Sequence, residues 1–339
     1  MNRLGKTLFA VASATLLAVT SLPAQAAKYQ MVISMQLSDQ NNPIYKAFEF
    51  IKTQIDARSH GQIEVKFFPG GALGGDRQLA EGVTLGDVQF TSMSTSPVVA
   101  FVPQLAIFDL PYVFPQDPAV LQKVLLHSDF SKSLDGYMEK KGMRFAGFFN
   151  SGFRELTTSD TPVHSVADIA KKTLRIRVQE DPYQIKLWKL LGAAPTPISY
   201  PELYGALQQG VVDGQENPYV NIQSSKLYEV QKYLTVSNHI LLANINLMDA
   251  KWYNSLPDDL KKVVDDVIQE AVATQWKAQN AAVSVQKADL AKRMTVIELT
   301  PAEMDGFKKA AEPMVGVIRK AVGDDIVNSL LNSIKTASN

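Results

Sequence analysis

The sequence predicts an α/β fold in which helices cover both faces of a sheet, and three observations carry that prediction. Short strand patterns alternate with amphipathic helical patterns from residue 28 onward. The alternation restarts after Phe153, and one helical pattern without Pro or Gly runs over 258–293. Alternating strands and helices argue for parallel βαβ units. The 36 residues of the last pattern, at ~1.5 Å each, would reach roughly 54 Å, longer than one domain is wide. That helix is expected to lie along two lobes.

Taken in order, "KYQMVIS" reads as a strand. "NPIYKAFEFIKTQIDA" reads as a helix with Ile44, Ala47, Phe48, Ile51 and Ile55 on one face, and "QIEVKFF" as the next strand. Helix "DRQLAEGVTLG", strand "VQFTSM", a single helix "AVLQKVLLHSDFSKSLDGYMEKKG" and strand "MRFAGFF" complete the first half. The second half opens with helix "SVADIAKK", strand "LRIRV" and helix "DPYQIKLWKLLG", which Gly192 ends. Extended "APTPIS", helix "YPELYGALQQG" ended by Gly210, and a short strand and turn "VVDGQ" follow. "PYVNIQSSKLYEVQK" is expected to be a helix with Pro218 at its first position and Asn217 as its N-cap. "ILLANINLM" is an apolar strand expected to return to the first sheet, and strand "MTVIEL" precedes the C-terminal helices.

The first 26 residues read as a secretory signal peptide. Arg3 and Lys6 precede an apolar stretch from Leu8 to Leu22 and the A-x-A signal Ala24-Gln25-Ala26. Its removal leaves 313 of 339 residues and takes the formal charge from 0 to −2. No later stretch reaches the roughly 18 apolar residues of a membrane span, so a soluble, exported protein with room for two domains is expected. Zero cysteines exclude disulfides and thiolate chemistry. The four histidines, at 60, 127, 164 and 239, show no metal-binding spacing, so no metal and no cofactor are expected. Without a Lys/Arg block, a nucleic-acid partner is not expected either.

Several motifs remain. "PGGALGG" at 69–75 sits where a phosphate loop would, but it lacks the spacing of one and reads as a turn. No nucleophile elbow appears, and nothing in the spacing of Glu202, Asp213 and Glu216 brings these acids together for acid–base work. His239 precedes an apolar strand and reads as a core or edge histidine. Tyr183, Trp188, Tyr200, Tyr204 and Tyr219 are core aromatics or the walls of a cleft. In "TLRIRVQE", Leu174, Ile176 and Val178 share one face of a strand, which puts Arg175 and Arg177 on the other. Inside a covered sheet an arginine needs a partner, and its planar fork matches a carboxylate, whether of the protein or of a ligand.

The run "LRIRVQE…LGAAPTPISYPELYGALQQGVVDGQENP", with "LYEVQKYLTVSNH" behind it, resembles the solute-binding proteins of tripartite ATP-independent periplasmic (TRAP) transporters, the DctP family. "FFPGGALGGDRQLAEGVTLGDVQF", "FDLPYVF" and "NSGFRELTTSDTPVHSVADI" extend the likeness over the mature chain. The resemblance implies a two-lobed periplasmic binding protein fold, each lobe a mixed β-sheet flanked by helices, with a long interdomain helix. Lobe I would hold 27–151 and about 240–280, lobe II would hold 152–239 and about 281–339, and the helix over 258–293 would span both. It implies no enzyme but the capture of a small organic acid, a C4-dicarboxylate or a sugar acid, for delivery to the small and large membrane permease subunits. A periplasmic hydrolase or lyase is the alternative reading.

The family's carboxylate-anchoring arginine falls on Arg177, its second arginine on Arg154 and its "QENP" asparagine on Asn217, beside Glu216. Arg175 falls outside that role. The "DGQENP" and "SNH" motifs, the latter ending in His239, and the aromatic Tyr200 are similar to the sialic acid-binding branch. That branch's other polar contacts fall here on Gln36, Ser94 and Glu180, and the three changes argue against sialate.

Overall fold

A computed structural model describes residues 27–339; the expected signal peptide, 1–26, lies outside the described residues. The chain forms β1 (Tyr29–Ser34), β2 (Ile63–Phe68), β3 (Phe90–Ser94), β4 (Met143–Phe153), β5 (Glu155–Thr158), β6 (Arg175–Val178), β7 (Ala194–Pro197), β8 (Gly214–Asn217), β9 (Tyr233–Val236), β10 (Leu241–Asp249) and β11 (Thr295–Glu298). They make two sheets, ordered β2-β1-β3-β10-β4 in lobe I and β11-β9-β5-β8-β6-β7 in lobe II. Both sheets are mixed. In lobe I, β1 to β3 are parallel as βαβ units require, but β10 runs antiparallel between β3 and β4. All nine residues of β10 are buried, so the strand that returns from lobe II is the centre of the first core.

The chain crosses between lobes where β4 passes into β5 with only Arg154 between them, and again where β9 leads through 237–240 into β10. These two crossings are tied together, because Arg154 N donates to Ile240 O at 2.8 Å. The helix Asp258–Leu290 runs beside them, and its 33 residues reach roughly 50 Å at ~1.5 Å each. It lies against helix Pro43–Arg58 and β4 of lobe I and against helix Tyr219–Ser224 of lobe II. Gln275 clasps both backbone groups of Asn150, at 2.9 and 2.7 Å, and Trp276 Nε1 donates to Phe148 O at 2.8 Å.

Three expectations are corrected. The helix read over 119–142 is two helices, Pro118–His127 and Asp129–Glu139, because Ser128 is extended and its hydroxyl caps the second by accepting from Ser131 N. The helix after Pro218 is short, Tyr219–Ser224, and stops before Lys226, whose φ of 53° is left-handed. The assignment of 281–339 to lobe II holds only in part. Helix Pro301–Ala311 touches lobe II helices, whereas Pro313–Val322 packs on Pro103–Asp109, and Asp324–Ser338 packs on Pro118–His127 and Asp129–Glu139 of lobe I. Periodicity marks the apolar faces of these helices but not the surface that receives them.

Glu155 fastens the hinge. Its Oε2 accepts from Ser237 N at 2.7 Å and Asn238 N at 2.9 Å, while its Oε1 is buried without a partner. Burial pushes this carboxyl up to about 7, against the two amide bonds that oppose the shift. A carboxyl whose pKa rises on folding stabilises the protein below its unfolded value, and that contribution is lost as pH climbs through the folded value. Glu155→Gln keeps an acceptor for both amides and removes the titration. From urea unfolding, the stability difference between wild type and this variant is therefore expected to shift by about 3 kcal/mol against wild type from below pH 4.5 to above pH 7. A difference that stays flat across that range would contradict the assignment.

Candidate ligand-binding site between the lobes

The two arginines of β6 part company at the sheet's end. Arg175 is exposed and is held by Asp213 of the neighbouring loop, through its backbone N–H at 2.8 Å and its Nε at 3.0 Å. Arg177, two residues on, is 1% exposed. Its Nε donates to Ile198 O at 2.8 Å, its Nη1 has no partner, and no carboxylate among the described residues stands within ion-pair distance of it. Burial first, and then the charge of Arg154, lowers its pKa to about 10, so it stays cationic at neutral pH.

Arg154 has the partner that Arg177 lacks. Its Nε and Nη2 grip the Glu216 carboxylate, the latter at 2.8 Å, and Nη2 also reaches Glu216 O at 2.7 Å. Burial pushes the Glu216 carboxyl up, but Arg154 and His239 more than reverse this and hold it below the usual range. His239 is held through Nδ1, 2.8 Å from Ser237 Oγ, while Nε2 lies 3.3 Å from Glu216 Oε2 without a formed hydrogen bond. The string Ser237–His239–Glu216 has the residue types of a hydrolytic triad. However, its carboxylate neutralises Arg154, and none of the three residues lines the cavity described next.

Between the lobes lies a cavity of about 40 Å³. Lobe I gives it Gln36, Asp76, Ser92, Ser94 and Asn244, and lobe II gives Gln179, Tyr200, Asn217 and Asn221. A larger opening of about 360 Å³ shares Gln36 and Tyr200 with it and is lined by Ser38, Gly70, Pro201 and Ser225 as well. Arg177 does not itself line the wall. Its charge acts on two residues that do, opposing the burial that pushes the Asp76 carboxyl up to about 7 and the burial that raises Tyr200.

The wall is held by hydrogen bonds running outward. Asn217 ends β8 rather than capping a helix, and Pro218 takes the cap position. Its Nδ2 donates to Gln215 Oε1 at 2.6 Å, Gln215 Nε2 donates to Thr157 Oγ1, and Thr157 Oγ1 donates in turn to Gln231 Oε1. Tyr200 OH lies 2.7 Å from Ser225 Oγ, and Gln36 Nε2 donates to Gly74 O at 2.9 Å. Gly70, Gly71 and Gly74 all have positive φ, so "PGGALGG" is a turn. A Cβ on Gly71 would come within 3.0 Å of both Gln36 Oε1 and Pro201 Cγ, which shows how closely the two lobes approach there.

Of the residues singled out in the sequence, the fold thus brings Gln36, Ser94, Tyr200 and Asn217 to the cavity and Arg177 beside it. Arg154, Glu216 and His239 form the buried cluster at the hinge. Glu180 is exposed, and its neighbour Gln179 faces the cavity instead. Asp76, Ser92, Asn221 and Asn244 were missed. The signal for two of them was there: alternate serines in "FTSMS" and alternate asparagines in "LLANINLMD" break otherwise apolar strands, and β3 and β10 pair Ser94 with Asn244 and Ser92 with Asn246.

Residues 33–320 match the family described as bacterial extracellular solute-binding protein, family 7 (DctP). The chain is 32% identical over 289 residues to the sialic acid-binding periplasmic protein SiaP of Vibrio cholerae, covering 84% of this chain and 87% of that protein. Its fold is similar to the sugar acid binding protein DctPAm of Advenella mimigardefordensis in complex with galactonate. That match has a TM-score of 0.86 and 30% identity, over 92% of this chain and all of the other. A TRAP periplasmic solute binding protein of Sulfurospirillum deleyianum with bound succinate is similar at a TM-score of 0.84 and 29% identity, over 90% and 98% of the two chains.

Removing one member of a buried ion pair strands the other charge and costs about 3–5 kcal/mol, whereas replacing both with apolar groups costs far less. Glu216→Gln is therefore expected to lower stability by roughly that amount in guanidinium unfolding. The double variant Arg154→Met, Glu216→Leu is expected to be more stable than the single one. Equal stability of Glu216→Gln and wild type would mean that Arg154 does not depend on Glu216.

Proposed function

The chain belongs to bacterial extracellular solute-binding protein family 7, and from that premise we propose that it captures a small organic acid between its lobes and delivers it to the small and large membrane subunits of a TRAP transporter. One observation carries the ligand class: Arg177 is a buried cation with no carboxylate of the described residues within ion-pair distance, though Glu216 and Asp76 act on it from farther off. An unpaired buried charge is costly, and a guanidinium fork matches a carboxylate with two parallel bonds. Charge-assisted hydrogen bonds contribute ~1.5–3 kcal/mol each, so such a pair supplies about half of the ~8 kcal/mol of a micromolar site.

Galactonate and succinate in the two similar proteins are both carboxylates, which supports the same class here. A ligand touching β6 and β8 on one side and β3 and β10 on the other favours the arrangement in which the lobes meet, and a permease can distinguish that arrangement from a parted one. Residues 1–26 would direct export, so the encounter takes place in the periplasm. The hydrolase or lyase reading draws less support, since the Ser237–His239–Glu216 string serves the Arg154 charge and stands outside the cavity wall.

Arg177→Ala is expected to weaken binding of galactonate or succinate, whichever wild type takes, by at least 100-fold in isothermal titration calorimetry. The unliganded melting temperature should not fall, because the variant removes a buried charge rather than a paired one. Arg177→Lys keeps the charge but loses the fork and should recover only a small part of the affinity. Binding by Arg177→Ala within threefold of wild type would remove Arg177 as the anchor.

A further inference from the structure

Resting on that reading, we infer that the ligand is a monocarboxylate carrying several hydroxyl groups, an acid of the aldonate type, and that Asp76 and the asparagine-lined wall select it over dicarboxylates. The argument is an inventory of donors and acceptors. Of the two guanidinium groups at the site, Arg154 is already neutralised by Glu216, which leaves Arg177 for one carboxylate. None of the residues lining the cavity is a lysine, arginine or histidine, and one is the acid Asp76. A second ligand carboxylate would find no cation on that wall, and Asp76 in its ionised form would repel it.

The cavity-facing side chains also carry polar atoms closed off from solvent and without a partner: Gln36 Oε1, Asp76 Oδ1, Asn221 Oδ1 and Ser92 Oγ. The two amide oxygens can only accept, Asp76 accepts when ionised, and the serine can do either. Two amide orientations bear on this: Gln36 Nε2 is spent on Gly74 O at 2.9 Å, and Asn221 Nδ2 points to Tyr200 OH at 3.3 Å. A wall of acceptors calls for donors on the ligand, and succinate at neutral pH has none. A polyhydroxy acid offers one carboxylate to Arg177 and an O–H to each acceptor. Behind Ser92, its register partner Asn246 is fully buried with both amide atoms unpaired, which extends the polar floor inward.

Isothermal titration of the mature protein with D-galactonate, D-gluconate and D-erythronate, against succinate, L-malate and hexanoate, tests this without any variant. At least one aldonate is expected to bind 100-fold more tightly than succinate or hexanoate. Asp76→Asn should cost that aldonate tenfold or more while leaving succinate unchanged or stronger, so that the selectivity ratio narrows. Succinate binding as tightly as every aldonate would overturn the hydroxy-acid assignment and leave the carboxylate reading standing. Failure of every acid to bind, with the protein folded by circular dichroism, would overturn both.

Discussion

Two buried guanidinium groups act on one another, and among the described acids only Glu216 comes within ion-pair distance of either. That imbalance organises the site. Glu216 goes to Arg154, which occupies the single residue between β4 and β5, and so the hinge is neutral and fixed. Arg177 on β6 keeps its charge with only Ile198 O against it. The apolar core around it, with Ile176 and Val178 flanking Arg177 in the same strand, makes that buried charge costly.

The lobes also meet through polar groups behind the cavity. Ser94 Oγ of lobe I donates to Gln179 Oε1 of lobe II at 3.0 Å, and Gln184 Nε2 of lobe II donates to Ser96 Oγ at 2.9 Å and to Asp109 Oδ1 at 3.3 Å. Asp109 also faces Asp181 at the start of the next lobe II helix. Burial raises both carboxyls, and the like charge of Asp181 raises Asp109 further. Two carboxyls in one site hold a proton between them rather than repel. Such directional contacts give the meeting of the lobes one register, which a purely apolar seam would not impose.

Much of this architecture was legible in the residues, because strand–helix alternation and the unbroken pattern after Pro257 follow from local periodicity. The return of "ILLANINLM" to the first sheet was expected, but nothing local says that it runs antiparallel there, or that Pro313–Val322 packs on Pro103–Asp109 of lobe I. The site divides in the same way. Arg177 was visible as a charged residue on a covered strand. Its difference from Arg175 depends on where the sheet ends, and the Asn217 capping prediction failed because β8 continues to that residue. Asp76 opens an ordinary surface-type helix in the sequence, and the burial of its carboxyl oxygen depends on contacts far off in the chain.

The polar floor of the cavity depends on a register set by the return strand. In β10, Asn244 and Asn246 share one face and pair with Ser94 and Ser92, while Ile245 and Leu247 share the other. A slip of one residue would exchange the two sets, turning Ile245 to the face of Asn244, which lines the cavity. The apolar contacts of the other face oppose that slip, since Ile245 and Leu247 are fully buried. The hydrophobic core of lobe I therefore fixes which hydrogen-bonding groups line the cavity. The same strand begins at the hinge, where Ile240 O holds Arg154 N, and so joins the hinge to the cavity floor.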